Sequence, residues 1–232
     1  QGAVCLKPIE RLDRNQPLLP SFAQQRLFFI DQFTGGQDNT YNMPLALKID
    51  AGLSIDALVK SIKVLSQKHE ILRTSFGSKL QISDQIPELQ VHRQELTDEQ
   101  LEEAVQEELK QAFDLSNGPL FRANLFITSA NEYVFTAVMH HIISDGWSVK
   151  ILFAELAEIY NTLIDGGEIR LEKPRIEYAD FAVWQRNLLR GDVLVEQQVY
   201  WQGKLAGLEN IELPLKSKRP EVLSTNGADF SI

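Results

Sequence analysis

The sequence has 232 residues, of which 44% are hydrophobic and 24% charged, as is typical of a globular chain that can bury a substantial core. Its formal net charge of −9 is spread along the chain, which disfavours nucleic acid as the main partner because phosphate binding requires clustered Lys and Arg. The single cysteine, Cys5, cannot form an internal disulfide, and no stretch reaches the ~20 apolar residues of a membrane span. With no signal-peptide pattern at the start, these features predict a cytoplasmic protein that does not enter a membrane.

The first half of the chain alternates helical and extended patterns. Ser21 and Gln24 form a capping box ahead of an apolar run, which predicts a first helix. An alternating segment around residues 45–49 predicts a strand, and Ser54 then caps a second helix. Residues 71–76 return to a period of two, which places Arg73 on a strand.

The second half contains the strongest strand signals. A second capping box, Thr97 to Gln100, predicts a helix, and two β-rich runs, PLFRANLFI and EYVFTAVMHHI, predict an antiparallel pair. Helical spacing follows over residues 147–164, 178–189 and 193–205. After a polar, turn-rich stretch, residues 228–232 are typical of the start of a strand. The order of elements predicts one continuous α/β unit.

The segment MHHIISDGWS, residues 139–148, carries the most chemical information. Alternate strand residues face opposite sides, so His140 and His141 cannot both point into one cleft, and one of them at most is suited to proton transfer. A histidine at a strand end is accessible to substrate and titrates near neutral pH. The spacing alone is also compatible with two buried, structural histidines.

Asp145 and Gly146 stand immediately before the helix that follows. An aspartate in this position commonly caps the helix by accepting hydrogen bonds from its first turn. Gly146 would permit close approach of a substrate to the helix N-terminus, where developing negative charge is favoured, or it could be a plain turn glycine. A structural or a functional role remains open for Asp145, and the same two alternatives remain open for Gly146.

Other chemistries find little support in the sequence. A zinc site needs three or four ligands, and beyond Asp145 no suitable residue completes a ligand spacing near the histidines, so no metal is expected. The sequence contains neither a G-x-S-x-G elbow nor a Gly-rich phosphate loop, which disfavours a serine hydrolase or a nucleotide-binding enzyme. A catalytic thiol at Cys5 is also disfavoured, because that residue lies in a polar N-terminal segment.

MHHIISDGWS resembles the HHxxxDG core motif of condensation domains in nonribosomal peptide synthetases, a branch of the chloramphenicol-acetyltransferase-like superfamily. Three further segments resemble other motifs of that family, in the same order: SFAQQRLFFI, KHEILRTSF and YADFAVWQR. The resemblance extends from Gln16 onward and covers the N-terminal half of such a domain. The sequence looks most like the subtype that accepts an L-configured donor residue.

The resemblance implies roles for individual residues. His141, the second histidine, would assist attack of an acceptor amine on a donor thioester, as general base or by positioning the amine, with His140 and Gly146 in supporting positions. Asp145 would pair with Arg73 and hold the loop that presents His141. Since breaking a buried pair costs about 3–5 kcal/mol, we expect Asp145→Ala to impair folding as well as activity.

The resemblance also implies the architecture: an α/β (α+β) two-layer sandwich, with helices packed on a mostly antiparallel or mixed sheet. Residues 1–15 are interpreted as an N-terminal linker or added residues, 16–215 as the N-terminal lobe, and 216–232 as the crossover towards a missing C-terminal lobe. Because half of the site would then be missing, negligible activity is expected of this half alone.

Implied partners are donor and acceptor peptidyl carrier proteins, an adjacent adenylation domain and the missing lobe, in a pathway that makes a secondary metabolite such as an antibiotic or toxin. No cofactor is expected on this chain itself, since phosphopantetheine would arrive on the carriers. Two alternatives from other classes are a noncatalytic module that docks carrier proteins and an acyltransferase that uses coenzyme A thioesters.

Overall fold

The computed structural model describes residues 7–36, 38–50, 52–93, 96–128, 132–170 and 172–209. The chain divides into two compact units, Gln1–Leu188 and Leu189–Ile232. The first unit contains all the described strands and five of the α-helices, and the second contains one further helix.

The helices of the first unit begin where the sequence supplies side-chain caps. Ser21, Ser54, Thr97 and Asp145 each accept a hydrogen bond from a backbone N–H in the first turn of the helix that follows. These four helices are α1 (Phe22–Thr34), α2 (Ile55–Lys68), α3 (Asp98–Lys110) and α4 (Gly146–Ile164), and the unit ends with α5 (Tyr178–Leu188).

Four strands, β1 (Asn42–Ile49), β4 (Leu89–His92), β5 (Phe121–Ile127) and β6 (Tyr133–His140), belong to one mixed sheet, while β2 (Thr74–Ser75) and β3 (Gln81–Ile82) pair separately. The order in the mixed sheet is β1-β6-β5-β4. Strand β6 is antiparallel to both β1 and β5, and β4 runs parallel to β5. The predicted antiparallel pair and mixed sheet are confirmed, and His140 lies at the end of an interior strand.

The core lies mainly between this sheet and helices α2 and α4. Phe135, Ala137 and Met139 alternate along β6 and face apolar side chains of both helices, including Leu65 and Leu152. Helix α3 contacts β1 and β6. Glu108 of that helix binds Arg122 of β5. This contact lies on the side of the sheet opposite α2 and α4. The helices packed on the sheet confirm the predicted α+β class.

Residues 70–76 differ from the prediction of a strand. Glu70–Arg73 forms a 3-10 turn, and only Thr74 and Ser75 are extended. The turn is stabilised by Thr74, whose Oγ1 donates to the carbonyl of Glu70 at 2.8 Å, and by Arg73, whose Nε donates to the carbonyl of Ser66 at 3.0 Å. These contacts override the short alternating pattern, so the placement of Arg73 on a strand was wrong.

The N-terminal segment is bound to the first unit from residue 7 onward. Arg14 donates to both carboxylate oxygens of Asp180, at 2.6 and 3.1 Å, and to Glu70 at 2.7 Å. Arg11 also binds Glu70, at 3.1 Å, and the backbone N–H of Leu12 donates to Asp180 at 2.9 Å. Residues 7–15 therefore belong to the folded unit, which corrects their interpretation as a linker, while residues 1–6 lie outside the described residues.

The second unit is described through α6 (Gly191–Leu205), which buries none of its residues. The predicted crossover at 216–232 and the predicted strand start at 228–232 lie outside the described residues. Among the helices that the structure describes, none is both long and apolar enough to cross a membrane.

Candidate active site

The two histidines at the end of β6 have opposite surroundings. His140 is only 2% exposed, whereas His141 lies in the turn beyond the strand with its side chain open to solvent. The backbone N–H of His141 donates to the carbonyl of Tyr41 at 2.8 Å, which ties the turn to the start of β1. The prediction that only one histidine is available for proton transfer agrees with this geometry.

The ring of His141 is oriented by a single short hydrogen bond. Nδ1 lies 2.6 Å from the carbonyl oxygen of Ser144. A carbonyl can only accept, so Nδ1 carries the proton, and in the neutral ring Nε2 is left with a free lone pair. His141 is thus prepared to accept a proton, or a hydrogen bond from an amine, at Nε2.

His140 has a structural part in the same turn. Its Nδ1 accepts a hydrogen bond from the backbone N–H of Ile142 at 3.0 Å, which requires Nδ1 to be unprotonated. Burial, together with the nearby charge of His141, lowers the pKa of His140 to about 4. His140 is therefore neutral at physiological pH and supports the turn that carries His141.

Gln24 is a site residue that the sequence did not identify. The predicted capping box is present, with the Gln24 side chain accepting from the N–H of Ser21 at 3.0 Å. The same side chain also donates from Nε2 to the carbonyl of Ile142 at 3.1 Å. The capping signal located Gln24, but the second bond spans 118 residues of sequence and no local pattern encodes it.

Asp145 caps helix α4. Its carboxylate accepts from the backbone N–H of Ser148 at 2.7 Å and from the Ser148 hydroxyl at 2.6 Å. The side-chain bond from Ser148, followed by the backbone bond, lowers the pKa of Asp145. Of the two interpretations of this residue, the structure supports the helix cap.

The pair that the family resemblance implied between Asp145 and Arg73 does not form. Both residues lie in the described part of the chain, where Asp145 is exposed and bound to Ser148, while Arg73 donates to the backbone carbonyls of Ser66 and Ser83. Arg73 ends a 3-10 turn that these bonds stabilise, and its Nε and one terminal nitrogen donate there. The predicted contact is therefore absent from this structure, which gives no basis for the large folding cost predicted for Asp145→Ala.

Gly146 begins α4 in an ordinary backbone conformation, and a Cβ at this position would meet no atom within 4 Å. No contact within the described residues therefore requires glycine here. The Asp145 carboxylate accepts from the N–H of Ser148. Because a negative group already occupies this helix N-terminus, the structure gives no support to its binding a developing negative charge.

The structure brings His140, His141, Asp145 and Gly146 together at one end of the sheet and leaves Arg73 bound elsewhere. No group of three or more His, Cys, Asp or Glu side chains able to hold a metal ion occurs among the residues that the structure describes. Cys5 lies outside the described residues.

A model of the condensation-domain family matches residues 15–232. The chain belongs to the condensation-domain family. It is 40% identical over 243 residues to a linear gramicidin synthase of Brevibacillus parabrevis, an alignment that covers 100% of this chain and 3% of the relative. It is also 38% identical over 229 residues to tyrocidine synthase 3 of the same organism, covering 94% of this chain and 3% of the relative.

Solved structures of condensation-domain relatives have the same fold. The X-domain from teicoplanin biosynthesis, in a complex with OxyB, matches with a TM-score of 0.82 and 27% identity over 94% of this chain and 50% of that chain. The starter condensation domain of the rhizomide synthetase RzmA matches with a TM-score of 0.71 and 18% identity over 84% of this chain and 49% of that chain. The condensation-domain segment therefore spans about half the length of these structures and a small part of the synthetases.

Proposed function

We propose that this chain is the N-terminal half of a peptide-bond-forming condensation domain of a nonribosomal peptide synthetase. The single observation that carries the proposal is the ring of His141, an exposed residue whose Nδ1–H is held by the Ser144 carbonyl, so that the neutral ring has its lone pair on Nε2. Membership of the condensation-domain family supplies the chemical context for this group.

In the proposed reaction, the amine nitrogen of an acceptor aminoacyl group bonds to the carbonyl carbon of a donor thioester, and the C–S bond breaks. Nε2 of His141 accepts the proton that the amine loses and returns it to the departing thiolate, or it holds the amine in place by accepting its hydrogen bond. His140, being neutral and buried, keeps the turn in shape.

The proposed substrates arrive on other proteins. Donor and acceptor would be carried by peptidyl carrier proteins as phosphopantetheine thioesters, so this chain would bind no cofactor of its own. An adjacent adenylation domain and a second lobe would complete the module. The matched synthetases, of which this chain covers only 3%, are consistent with such neighbours. We further propose an L-configured donor residue and a cytoplasmic location.

A second candidate is a noncatalytic docking module. The observation that favours it is the likeness to the teicoplanin X-domain, solved in a complex with another protein, OxyB. Against it stands the intact His141, an exposed residue whose neutral ring has its lone pair on Nε2. The coenzyme A-dependent alternative receives no support from the two Brevibacillus relatives, which are gramicidin and tyrocidine synthases.

The test combines this chain with the remaining half of the domain and with donor and acceptor aminoacyl carrier proteins, and detects carrier-bound dipeptide by intact mass. We expect dipeptide from an L-configured donor, a loss of at least about 100-fold in rate for His141→Ala, and negligible product from this chain alone. His92→Ala is the matched control, since that histidine lies on β4 and bonds Asn124.

Full activity of His141→Ala would overturn the role of that residue. Absence of dipeptide from the folded, complete wild-type domain with suitable carriers would favour the docking module instead. Product from a D-configured donor but not from its L-enantiomer would contradict the proposed donor stereochemistry.

A further inference from the structure

Gln24 joins the first helix to the turn that carries His141. It is 2% exposed, and its Nε2 donates to the carbonyl of Ile142, the residue directly after His141. We propose that Gln24 is a positioning residue for His141, holding the turn so that Nδ1 keeps its proton and Nε2 keeps its lone pair. The inference rests on the proposed function, because Gln24 acts on the reaction through His141.

The turn is held at several successive backbone groups. The N–H of His141 donates to the carbonyl of Tyr41, the N–H of Ile142 donates to the ring of His140, and the N–H of Ile143 donates to the carbonyl of His140. Gln24 binds the carbonyl of Ile142, which these bonds leave free. The peptide between Ile142 and Ile143 is therefore held on both sides, at its N–H by His140 and at its carbonyl by Gln24.

This peptide plane controls the ring of His141. The acceptor of Nδ1–H is the carbonyl of Ser144, two residues beyond the carbonyl that Gln24 holds. If the peptide after Ile142 rotates, the chain leading to Ser144 changes direction and the short Nδ1 contact is lost. Without that contact, the proton is free to move to Nε2, which removes the lone pair that the reaction needs.

Gln24 is rigid enough to impose this geometry. Its Oε1 accepts from the N–H of Ser21 at 3.0 Å, and its own N–H donates to the Ser21 hydroxyl at 3.2 Å. The amide is therefore bonded at both ends, with the oxygen on Ser21 and the nitrogen on Ile142. A buried side chain with both ends satisfied keeps one orientation, which a flexible surface glutamine does not.

Helix α5 in turn holds the start of α1. Arg186 donates to the carbonyl of Pro20 at 2.5 Å, Gln185 accepts from the N–H of Phe22 at 3.1 Å, and the Tyr178 hydroxyl lies 3.3 Å from that of Ser21. Residues of the segments SFAQQRLFFI and YADFAVWQR thus form one connected hydrogen-bond path that ends at the His141 turn, in the segment MHHIISDGWS.

The test measures the tautomer of His141 directly, by the nitrogen and carbon chemical shifts of its imidazole in this chain. We expect the neutral imidazole of wild type to be in the Nδ1–H form, because Nδ1 is held by the Ser144 carbonyl. Gln24→Met has a similar volume and no donor, and we expect a measurable fraction of its His141 to move to the Nε2–H form. Gln24→Glu still accepts from Ser21 but, when ionised, has no hydrogen for Ile142, so the same shift is expected.

Gln100→Met is the matched control. Gln100 makes the same capping box with Thr97, its side chain accepting from the Thr97 N–H at 3.0 Å. It is bonded to its own N-cap residue but, unlike Gln24, not to the His141 turn. This variant loses the same capping bond, so we expect its His141 tautomer to match wild type.

In the complete domain, Gln24→Met should lower kcat about tenfold and change KM for the carriers little, because the acting group is displaced while the binding surfaces remain. An unchanged His141 tautomer in both folded Gln24 variants would overturn the proposal. So would failure of both variants to fold while Gln100→Met folds, since Gln24 would then be structural only.

The two proposals fail in different ways. If His141→Ala keeps full activity, the role of His141 in condensation is wrong, whatever the tautomer measurements give. If His141→Ala is inactive but the tautomer does not respond to Gln24, the proposed function stands and the positioning role of Gln24 is wrong.

Discussion

Burial gives two neighbouring histidines different chemistry. His140 and His141 differ by one residue, yet one ring accepts a backbone N–H inside the protein and the other is held at the surface by a carbonyl. The strand alternation predicted this division, because consecutive residues at a strand end face opposite sides. The partners of the two rings were not predictable, since they belong to a turn whose shape depends on Tyr41 and Gln24.

The pKa of His140 leads to a prediction for stability against pH. Its pKa is about 4 in the folded chain and has an ordinary value of 6.5, so between these values the unfolded chain binds more protons. The contribution of His140 to the free energy of unfolding is therefore fully present above pH 6.5, where the ring is neutral in both states. It is lost as the pH falls towards 4, because only the unfolded chain binds the proton. The shift corresponds to roughly 3 kcal/mol, since one pKa unit is about 1.4 kcal/mol.

His140→Asn should remove most of this pH dependence, because the Asn side-chain oxygen can accept from the N–H of Ile142 but does not titrate. Urea unfolding at several pH values between 7 and 4 measures the free energy of unfolding of both proteins. Glu177 acts in the opposite direction, since burial raises its pKa to about 7, so the difference between variant and wild type is the informative quantity. Parallel curves for the two proteins would contradict the assignment.

At the scale of elements, capping chemistry predicted the helices well. The boxes at Ser21 and Thr97 and the caps at Ser54 and Asp145 stand where helices begin. No comparable signal marks β3 and β4, which have two and four residues. Strands this short contain too few alternations to be distinguished from loops, and they form because neighbouring strands supply their hydrogen bonds.

The same chemistry revises the expectation for Asp145. As an exposed N-cap rather than one half of a buried pair, it should contribute about 1 kcal/mol to the free energy of unfolding. We therefore expect Asp145→Ala to lower stability by roughly that amount and Asp145→Ser to retain most of it, as measured by urea unfolding. Thr97→Ala, which removes the cap of α3, gives a comparable reference. A loss near the roughly 3–5 kcal/mol of a broken buried pair would instead restore the pairing with Arg73.

At the scale of the whole first unit, contacts between distant parts of the sequence decide what local patterns cannot. Arg14 lies 56 residues from Glu70 and 166 from Asp180, and it binds both carboxylates. The polar N-terminal segment resembled a linker because nothing in its own sequence reveals a buried acid elsewhere. The contact of Gln24 with Ile142 was missed for the same reason.

Arg14 is the residue on which the attachment of the N-terminal segment to the first unit depends most. The Asp180 side chain has no exposed surface, and that of Arg14 is 24% exposed. Burial by itself raises the pKa of Asp180, but hydrogen bonds from Arg14 and from backbone N–H groups outweigh it, so the net pKa is lowered. Arg11 binds Glu70 and the carbonyl of Pro174 instead and does not take the place of Arg14 at Asp180.

Arg14→Met should therefore be strongly destabilising, because it keeps the apolar stem but leaves the buried carboxylate of Asp180 without its cation. We expect a loss of roughly 3–5 kcal/mol in the free energy of unfolding, measured by urea denaturation at pH 7. Lys48→Met is the matched control, since its ion pair with Glu132 joins side chains that are 62% and 41% exposed and should change the midpoint little. A similar, small effect of both substitutions would show that the N-terminal segment is attached weakly and that other contacts hold α5 in place.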